Sequence, residues 1–237
     1  MIRPRAAPGP EIGPTPMHSP ASPFAAARSH MVDSQVRPNK VTDPRIIAAM
    51  RALPRETFVP AGASALAYAD EDVPLGNGRV LLEPMVVARM VQLAAIEPGQ
   101  SVLVIAAGTG YAAALLAACG ATVTAVEDDQ SLLAIARIAL AGISGVRLIE
   151  APLAEGCAQS GPYDVVFLDG AAETMPDAWA AQVKPRGGRF VGIQANAGRV
   201  SQAVSGALSG SKLALLPRFD CATPKLPGFR AAAGFVF

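Results

Sequence analysis

Histidine is nearly missing from this chain. Its two copies, His18 and His30, fall within the first thirty residues, and none occurs from 31 to 237. Imidazole general bases, histidine triads and histidine metal sites are thereby excluded from the body of the protein. Charge of one sign is also missing: the net charge is +1, and no stretch interleaves Lys and Arg with aromatics, the electrostatic mark of a nucleic-acid surface. Nucleic acid is therefore not an expected partner. Cys119, Cys157 and Cys221 stand far apart, with neither the close pairs of a zinc site nor the even count of a secreted disulfide framework. They are expected as small buried hydrophobes, and no metal is expected. No apolar run approaches the roughly 18 residues of a membrane span. The start, "MIRPRAAPGPEIGPTP", lacks the apolar run of about seven residues that a secretory signal needs. The expectation is a cytoplasmic protein with no membrane association.

Residues 1–30 differ in composition from the rest, with seven prolines, one acid (Glu11) and no hydrophobic periodicity, and are expected to be a disordered tail. Met31 begins a stretch that reads as a natural start, so the tail is expected to be an over-long start or a transit-like segment. Residues 31–237 suffice for one large α/β domain. Its first part, 31–95, reads as a cap and 96–237 as the core.

In the cap, "TDPRIIAAMRALPRETF" (42–58) carries a helix start, with Thr42 as N-cap and Pro44 in the first turn, followed by Ile46, Ile47, Met50 and Leu53 at helical spacing. Residues 68–84 are rich in turn formers and acids, and "PMVVARMVQLAAI" after them predicts an amphipathic helix. Strand candidates then alternate with helices: 101–106, 122–126, 146–150, 164–169 and 188–194, with "SLLAIARIALAG" and "MPDAWAAQV" among the helices. This alternation predicts a doubly wound, mostly parallel sheet. The terminal pieces "SKLALLPRF" and "RAAAGFVF" predict an antiparallel hairpin at its edge, where Pro217 is tolerated.

Ligands of a doubly wound sheet sit beyond the carboxyl ends of its strands. There "VLVIAAGTGYAAALLAACGATVTAVEDD" (102–129) places Gly108 and Gly110 in a turn that brings backbone close to a ligand at a helix N-terminus. Glu127, at the end of the next strand, is placed to accept both ribose hydroxyls of an adenosyl cofactor. "GTGYAA" also satisfies the loose dinucleotide pattern G-x-G-x-x-A, and small-residue turns occur as plain packing features. Three further residues have two readings each. Asp169 faces the donor methyl or caps the following turn; Tyr111 stacks near the cofactor or packs in its helix; Trp179 is core rather than site.

"GPYDVVFLDGAAETMPDAW" and "VKPRGGRFV" resemble the fourth and fifth strands of a Rossmann-like methyltransferase. With "AAMRALPRETFVP" (48–60), "YADEDVPLGNGRVLLEPMVVARM" (68–90) and the glycine turn in the same order, the sequence from about Met31 onward resembles the protein-L-isoaspartate O-methyltransferases. The resemblance implies the Rossmann-like S-adenosylmethionine-dependent methyltransferase fold, S-adenosylmethionine as methyl donor and a protein or peptide acceptor, in typical members an isoaspartyl residue of damaged protein. It implies cofactor contacts from Ala106, Gly108, Thr109, Gly110, Tyr111, Glu127, Asp128, Leu153 and Asp169, and acceptor contacts from Leu82, Glu83, Pro84 and Met85. The family's Ser-Gln-Pro-type acceptor segment falls on Leu82-Glu83-Pro84, its first-strand acid on Val104, its first loop glycine on Ala106, and its Gly-Asp-Gly on Ala151-Pro152-Leu153. Such a reaction needs no general base, because a carboxylate with a reference pKa near ~4 is already ionised at pH 7. No catalytic residue and no oligomeric state is assigned. The departures leave a second reading open, a catalytically silent relative serving as a cofactor-binding or protein-interaction module. Glu127 and Gly108 favour the enzyme, since a relic has no physical need of either.

Overall fold

The computed structural model describes residues 23–196 and 198–230. Helix α1 (Pro23–Met31) opens the cap, followed by α2 (Pro44–Ala52) and α3 (Pro84–Ala94). Residues 23–30 therefore correct the expected boundary of a disordered tail; residues 1–22 lie outside the described residues. The tail's missing periodicity hid a short helix that is held by tertiary contacts. Phe24 and Ala27 pack against the main core, and Arg28 donates to the Tyr68 hydroxyl at 2.9 Å and to Glu56 at 3.2 Å. The Tyr68 hydroxyl in turn donates to Glu56. Burial, then the hydrogen bond to Glu56, push the Tyr68 phenol up to about 12.

Helix α2 is capped one residue later than expected. The Asp43 carboxylate, rather than Thr42, accepts the Arg45 N–H at 2.9 Å, and Pro44 takes the first helical position, where no N–H is required. The turn-rich stretch before α3 folds into a two-stranded antiparallel hairpin, β1 (Val73–Gly76) with β2 (Arg79–Leu81). Gly76, Asn77 and Gly78 all have positive φ (100°, 50° and 71°), which glycine and asparagine tolerate best. Val73, Leu75 and Leu81 are buried.

The core follows the expected alternation, with β3 (Ser101–Ile105), α4 (Tyr111–Ala118), β4 (Thr122–Glu127), α5 (Gln130–Ala139), β5 (Val146–Glu150), β6 (Val165–Ala172), α6 (Asp177–Ala181) and β7 (Arg189–Gln194). Two strands complete the sheet, β8 (Ser201–Ser209) and β9 (Lys212–Cys221). Among the described residues the sheet has seven strands, in the order β5-β4-β3-β6-β7-β8-β9. The first five are parallel and the last two antiparallel. This is the expected doubly wound sheet with an antiparallel edge. Within this edge β9 pairs with β8, whose mixed "SQAVSGALS" gave little alternation to read; the other expected piece, "RAAAGFVF", falls outside the described residues after Arg230. Pro217 sits on the outermost strand beside a register shift, where a missing N–H leaves no central ladder broken.

Alternate residues of β3 feed two cores. Val102 and Val104 join the large cluster beneath the cap, while Leu103 and Ile105 join a second cluster with Val166, Leu168, Phe190 and Trp179. Trp179 is core as expected, its indole N–H donating to Leu153 O at 2.8 Å. The chain runs outward from β3 to β5 and then returns to β6 on the other side. The carboxyl ends of β3 and β6 thus flank the crevice where such sheets take ligands.

The Arg28 network ties α1 to the cap through charge-assisted hydrogen bonds shielded from solvent. Arg28→Ala is expected to lower unfolding stability by about 1–2 kcal/mol, read as a lower urea midpoint with an unchanged slope; an unmoved midpoint contradicts the role given to α1.

Candidate active site

The turn after β3 is held in left-handed backbone. Gly108 and Gly110 have φ of 57° and 96°, and Ala106, where glycine is expected, keeps the glycine conformation at 58°. For an alanine this conformation costs about 1–2 kcal/mol, so the substitution has kept the shape of the turn rather than relaxed it. Gly110 is required for a second reason: a Cβ there would stand 2.7 Å from Leu140 Cδ1. It is the N-cap of α4, whose first N–H groups are free of intrahelical partners and suit a ligand at the crevice.

Glu127 closes β4 beside this turn and is fully buried (0% exposed). Its Oε1 accepts Arg79 Nη1 at 2.8 Å and the backbone N–H groups of Asp128 and Asp129 at 3.0 and 3.1 Å. Its Oε2 accepts Arg79 Nη2 at 2.9 Å and Gly108 N at 2.6 Å. Arg79 Nη2 also donates to Ala106 O at 2.9 Å, which helps to hold the strained turn. The guanidinium is itself buried, at 6% exposed. Asp128 presents an exposed side chain beside Glu127; burial of its carboxyl, then Glu127, raise its pKa, and the Leu153 backbone N–H opposes them. Asp128 and the backbone of Leu153, whose side chain is buried in the second core, therefore sit together beside Glu127.

Thr109 and Tyr111 turn away from the crevice. The Thr109 hydroxyl donates to Phe58 O at 2.6 Å. The buried Tyr111 ring meets Phe58 edge-on at 5.2 Å, with the Arg55 guanidinium carbon 4.8 Å from its centroid. Of the two readings of Tyr111, packing is the one this geometry supports, and the site reading is corrected accordingly. Asp169 lies within β6, which continues to Ala172, so it does not cap the turn that follows. Burial pushes its carboxyl up to about 7, with Arg79 and Arg55 pulling down and Glu127 and Asp72 adding to the rise.

The acceptor segment departs from expectation in one respect. Leu82 is 1% exposed and belongs to the main core, and Pro84 is buried as the first residue of α3. Only Glu83 and Met85 retain exposure. Sequence position placed Leu82 where a hydroxyl would meet substrate; its size and apolarity instead turn it inward. The backbone of this segment is fixed from two sides. Arg55 Nη2 donates to Leu82 O at 2.5 Å, and the Glu83 N–H donates to Asp72 Oδ1 at 2.7 Å. Burial, then Asp72 and Asp70, raise the pKa of Glu83.

Sequence reasoning missed Arg55, Arg79 and Asp72. Arg55 is fully buried, donating to Ala67 O at 2.7 Å. Arg79 carried one available signal: it directly follows a Gly-Asn-Gly turn on a strand whose neighbours are apolar, so a lone charge there must find a partner in the crevice.

This fold, with a glycine turn and a strand-end acid at the switch between β3 and β6, defines the class of Rossmann-like S-adenosylmethionine-dependent methyltransferases. The family profile described as Protein-L-isoaspartate(D-aspartate) O-methyltransferase matches residues 26–207. A protein of that name from Methylorubrum extorquens is 40% identical over 165 residues, 69% of this chain and 72% of the relative. Another, from Koribacter versatilis, is 39% identical over 170 residues, 71% and 76% of the two chains. Among solved structures, a protein-L-isoaspartate O-methyltransferase superposes with a TM-score of 0.72 at 22% identity, covering 86% of this chain and 66% of the other. A Plasmodium falciparum protein, described as a complex with S-adenosyl-L-homocysteine, gives 0.69 at 13% identity, covering 84% and 97%. This chain belongs to the protein-L-isoaspartate(D-aspartate) O-methyltransferase family. It is accordingly an enzyme, with S-adenosylmethionine as its cofactor.

Two outcomes follow from the geometry. Asp169 holds its proton up to about pH 7 in the folded chain, against an ordinary value of 3.8; between these values the folded state binds more protons and its stability falls as pH rises. Asp169→Asn removes that titration, so its stability relative to the wild type is expected to rise from pH 4 to 7 and then level, and a pH-independent difference in urea melts contradicts the shift. Leu82→Ser empties a core position and buries a hydroxyl, so a loss of about 3 kcal/mol or more is expected; a loss under about 0.5 kcal/mol, typical of surface sites, contradicts the inward orientation.

Proposed function

We propose that this chain transfers the methyl group of S-adenosylmethionine to the free α-carboxylate of isoaspartyl residues in damaged proteins. The carrying observation is Glu127, a buried carboxylate held at the carboxyl end of β4 against the glycine turn, in a chain whose relatives are named for this activity. These relatives lend no support to a catalytically silent reading.

The residues fit an adenosyl group. Glu127 offers two carboxylate oxygens to a ribose diol, the α4 N-terminus and the Gly108–Gly110 turn offer close backbone, and Asp128 with the Leu153 backbone stands beside Glu127 for the base. When bound, the cofactor supplies a methyl group on a positively charged sulfur. Asp169 follows Leu168, which pairs with Ile105 of β3, and so stands on β6 beside the turn, where the methyl-bearing part of the cofactor would lie in this reading. The chain's own contribution is to hold and orient: a carboxylate acceptor is already an anion and nucleophile at pH 7, and positioning alone supplies roughly 7–11 kcal/mol of a barrier. No side chain is assigned the role of base. The cytoplasmic placement and the absence of nucleic-acid partners remain part of this reading and rest on the sequence; among the described residues no helix is long and apolar enough to cross a membrane.

The acceptor mouth is acidic, with Asp70, Asp72 and Glu83 together. A like charge about 4 Å from an incoming carboxylate costs on the order of 4 kcal/mol at the effective dielectric typical of a protein surface, and about 1 kcal/mol where water intervenes. The raised pKa of Glu83 lessens this by favouring its neutral form. Labelled methyl transfer to an isoaspartyl peptide, with the aspartyl peptide as control, tests the function: incorporation into the isoaspartyl peptide alone is expected, and none into either overturns it. On the same assay Glu83→Gln is expected to lower KM for the peptide several-fold, while an unchanged or higher KM removes Glu83 from the acceptor mouth.

A further inference from the structure

The β1–β2 hairpin lies directly over the glycine turn. A Cβ at Gly108 would stand 3.6 Å from Leu75 Cδ1 and 4.0 Å from Arg79 Nη2, so two side chains of the hairpin occupy the space that the glycine opens. A carboxylate has about four lone-pair positions. Glu127 already receives two donors from Arg79 and three from backbone. The backbone donors belong to the turn and to the start of α5 and stay with the fold. The two guanidinium donors come from the hairpin and take the positions that a ribose diol needs.

We infer that Arg79 is an affinity-determining residue of the cofactor site, an intramolecular competitor that holds Glu127 in turn with the ribose hydroxyls and never together with them. The inference rests on the adenosyl reading of the pocket given above. An adenosyl ligand enters only the fraction of molecules in which Arg79 has left, and its apparent Kd rises in inverse proportion to that fraction.

The surrounding structure suits such an exchange. Strands of four and three residues form only a marginal ribbon by themselves, so the tip stays in place through its contacts. Val73, Leu75 and Leu81 anchor the hairpin in the main core. The tip is held by Arg79, by Asn77 Nδ2 donating to Asp129 Oδ2 at 2.7 Å, and by Gly78 against Pro227. The strand register shifts between Pro74 and Gly76, and the left-handed residues 76–78 lie between the anchors. Residues 76–79 can therefore withdraw without unpacking Val73, Leu75 and Leu81. Withdrawal by itself leaves Glu127 as a buried charge short of donors, which is strongly unfavourable. Replacing the guanidinium with two ribose hydroxyls meets that need, so the ligand and the opening of the hairpin are coupled.

Calorimetric titration of S-adenosylhomocysteine into the full chain tests this, comparing the wild type with Arg79→Gln and Asn77→Gly. Asn77→Gly keeps the positive φ and removes only an exposed latch, so it remains informative if Arg79→Gln does not fold. Arg79→Gln is expected to bind at least tenfold tighter than the wild type, and Asn77→Gly tighter by a smaller factor. Binding by the wild type with equal or weaker binding by the variants overturns the competition and leaves the adenosyl reading standing. No binding by any of the three at millimolar ligand overturns the adenosyl reading, and the competition with it.

Discussion

The carboxyl ends of β3, β4 and β6 are arranged around one buried ion pair, Arg79 with Glu127. Burying two charges is costly, and a buried pair is stable only when its remaining donors and acceptors are met. Here they are met by the turn itself: Gly108, Asp128 and Asp129 complete Glu127, and Ala106 O takes the spare donor of Arg79. The same bonds hold an alanine in a conformation natural to glycine. Turn, strand end and hairpin are one electrostatic unit, which explains how the pocket keeps its form although Ala106 replaces glycine and Val104 replaces the first-strand acid.

A second buried cation organises the acceptor side. Arg55 bridges Ala67 O and Leu82 O and lies against the Tyr111 ring. It thereby ties the cap to the segment before α3 and to the first residue of α4. Asp72 completes the arrangement by accepting from the Glu83 N–H and the Thr223 hydroxyl, which links the acceptor segment to the chain beyond β9. Arg55 and Arg79 are thus two separate buried cations, one tying the cap to the segment before α3 and to α4, the other holding the hairpin to the glycine turn and β4.

The sheet was legible because parallel strands buried on both faces read as apolar runs separated by helical periods. Val102–Ile105 and Val165–Leu168 are of this kind. The glycine turn and Glu127 were legible because backbone geometry and a strand-end acid leave local marks. Strand β8 was not, since its small and polar residues lack alternation. Helix α1 was hidden because a nine-residue segment owes its stability to Phe24, Ala27 and Arg28 meeting partners remote in sequence. The inward turn of Leu82, the packing of Tyr111 and the pairing of Arg79 with Glu127, 48 residues away, depend on tertiary placement that no local pattern encodes.

The most direct test of this account is a crystal structure with S-adenosylhomocysteine bound. The account predicts both ribose hydroxyls on the Glu127 carboxylate, the backbone donors of Gly108, Asp128 and Asp129 unmoved, and Arg79 withdrawn from it. A bound ligand with Arg79 still seated on both oxygens of Glu127 contradicts it.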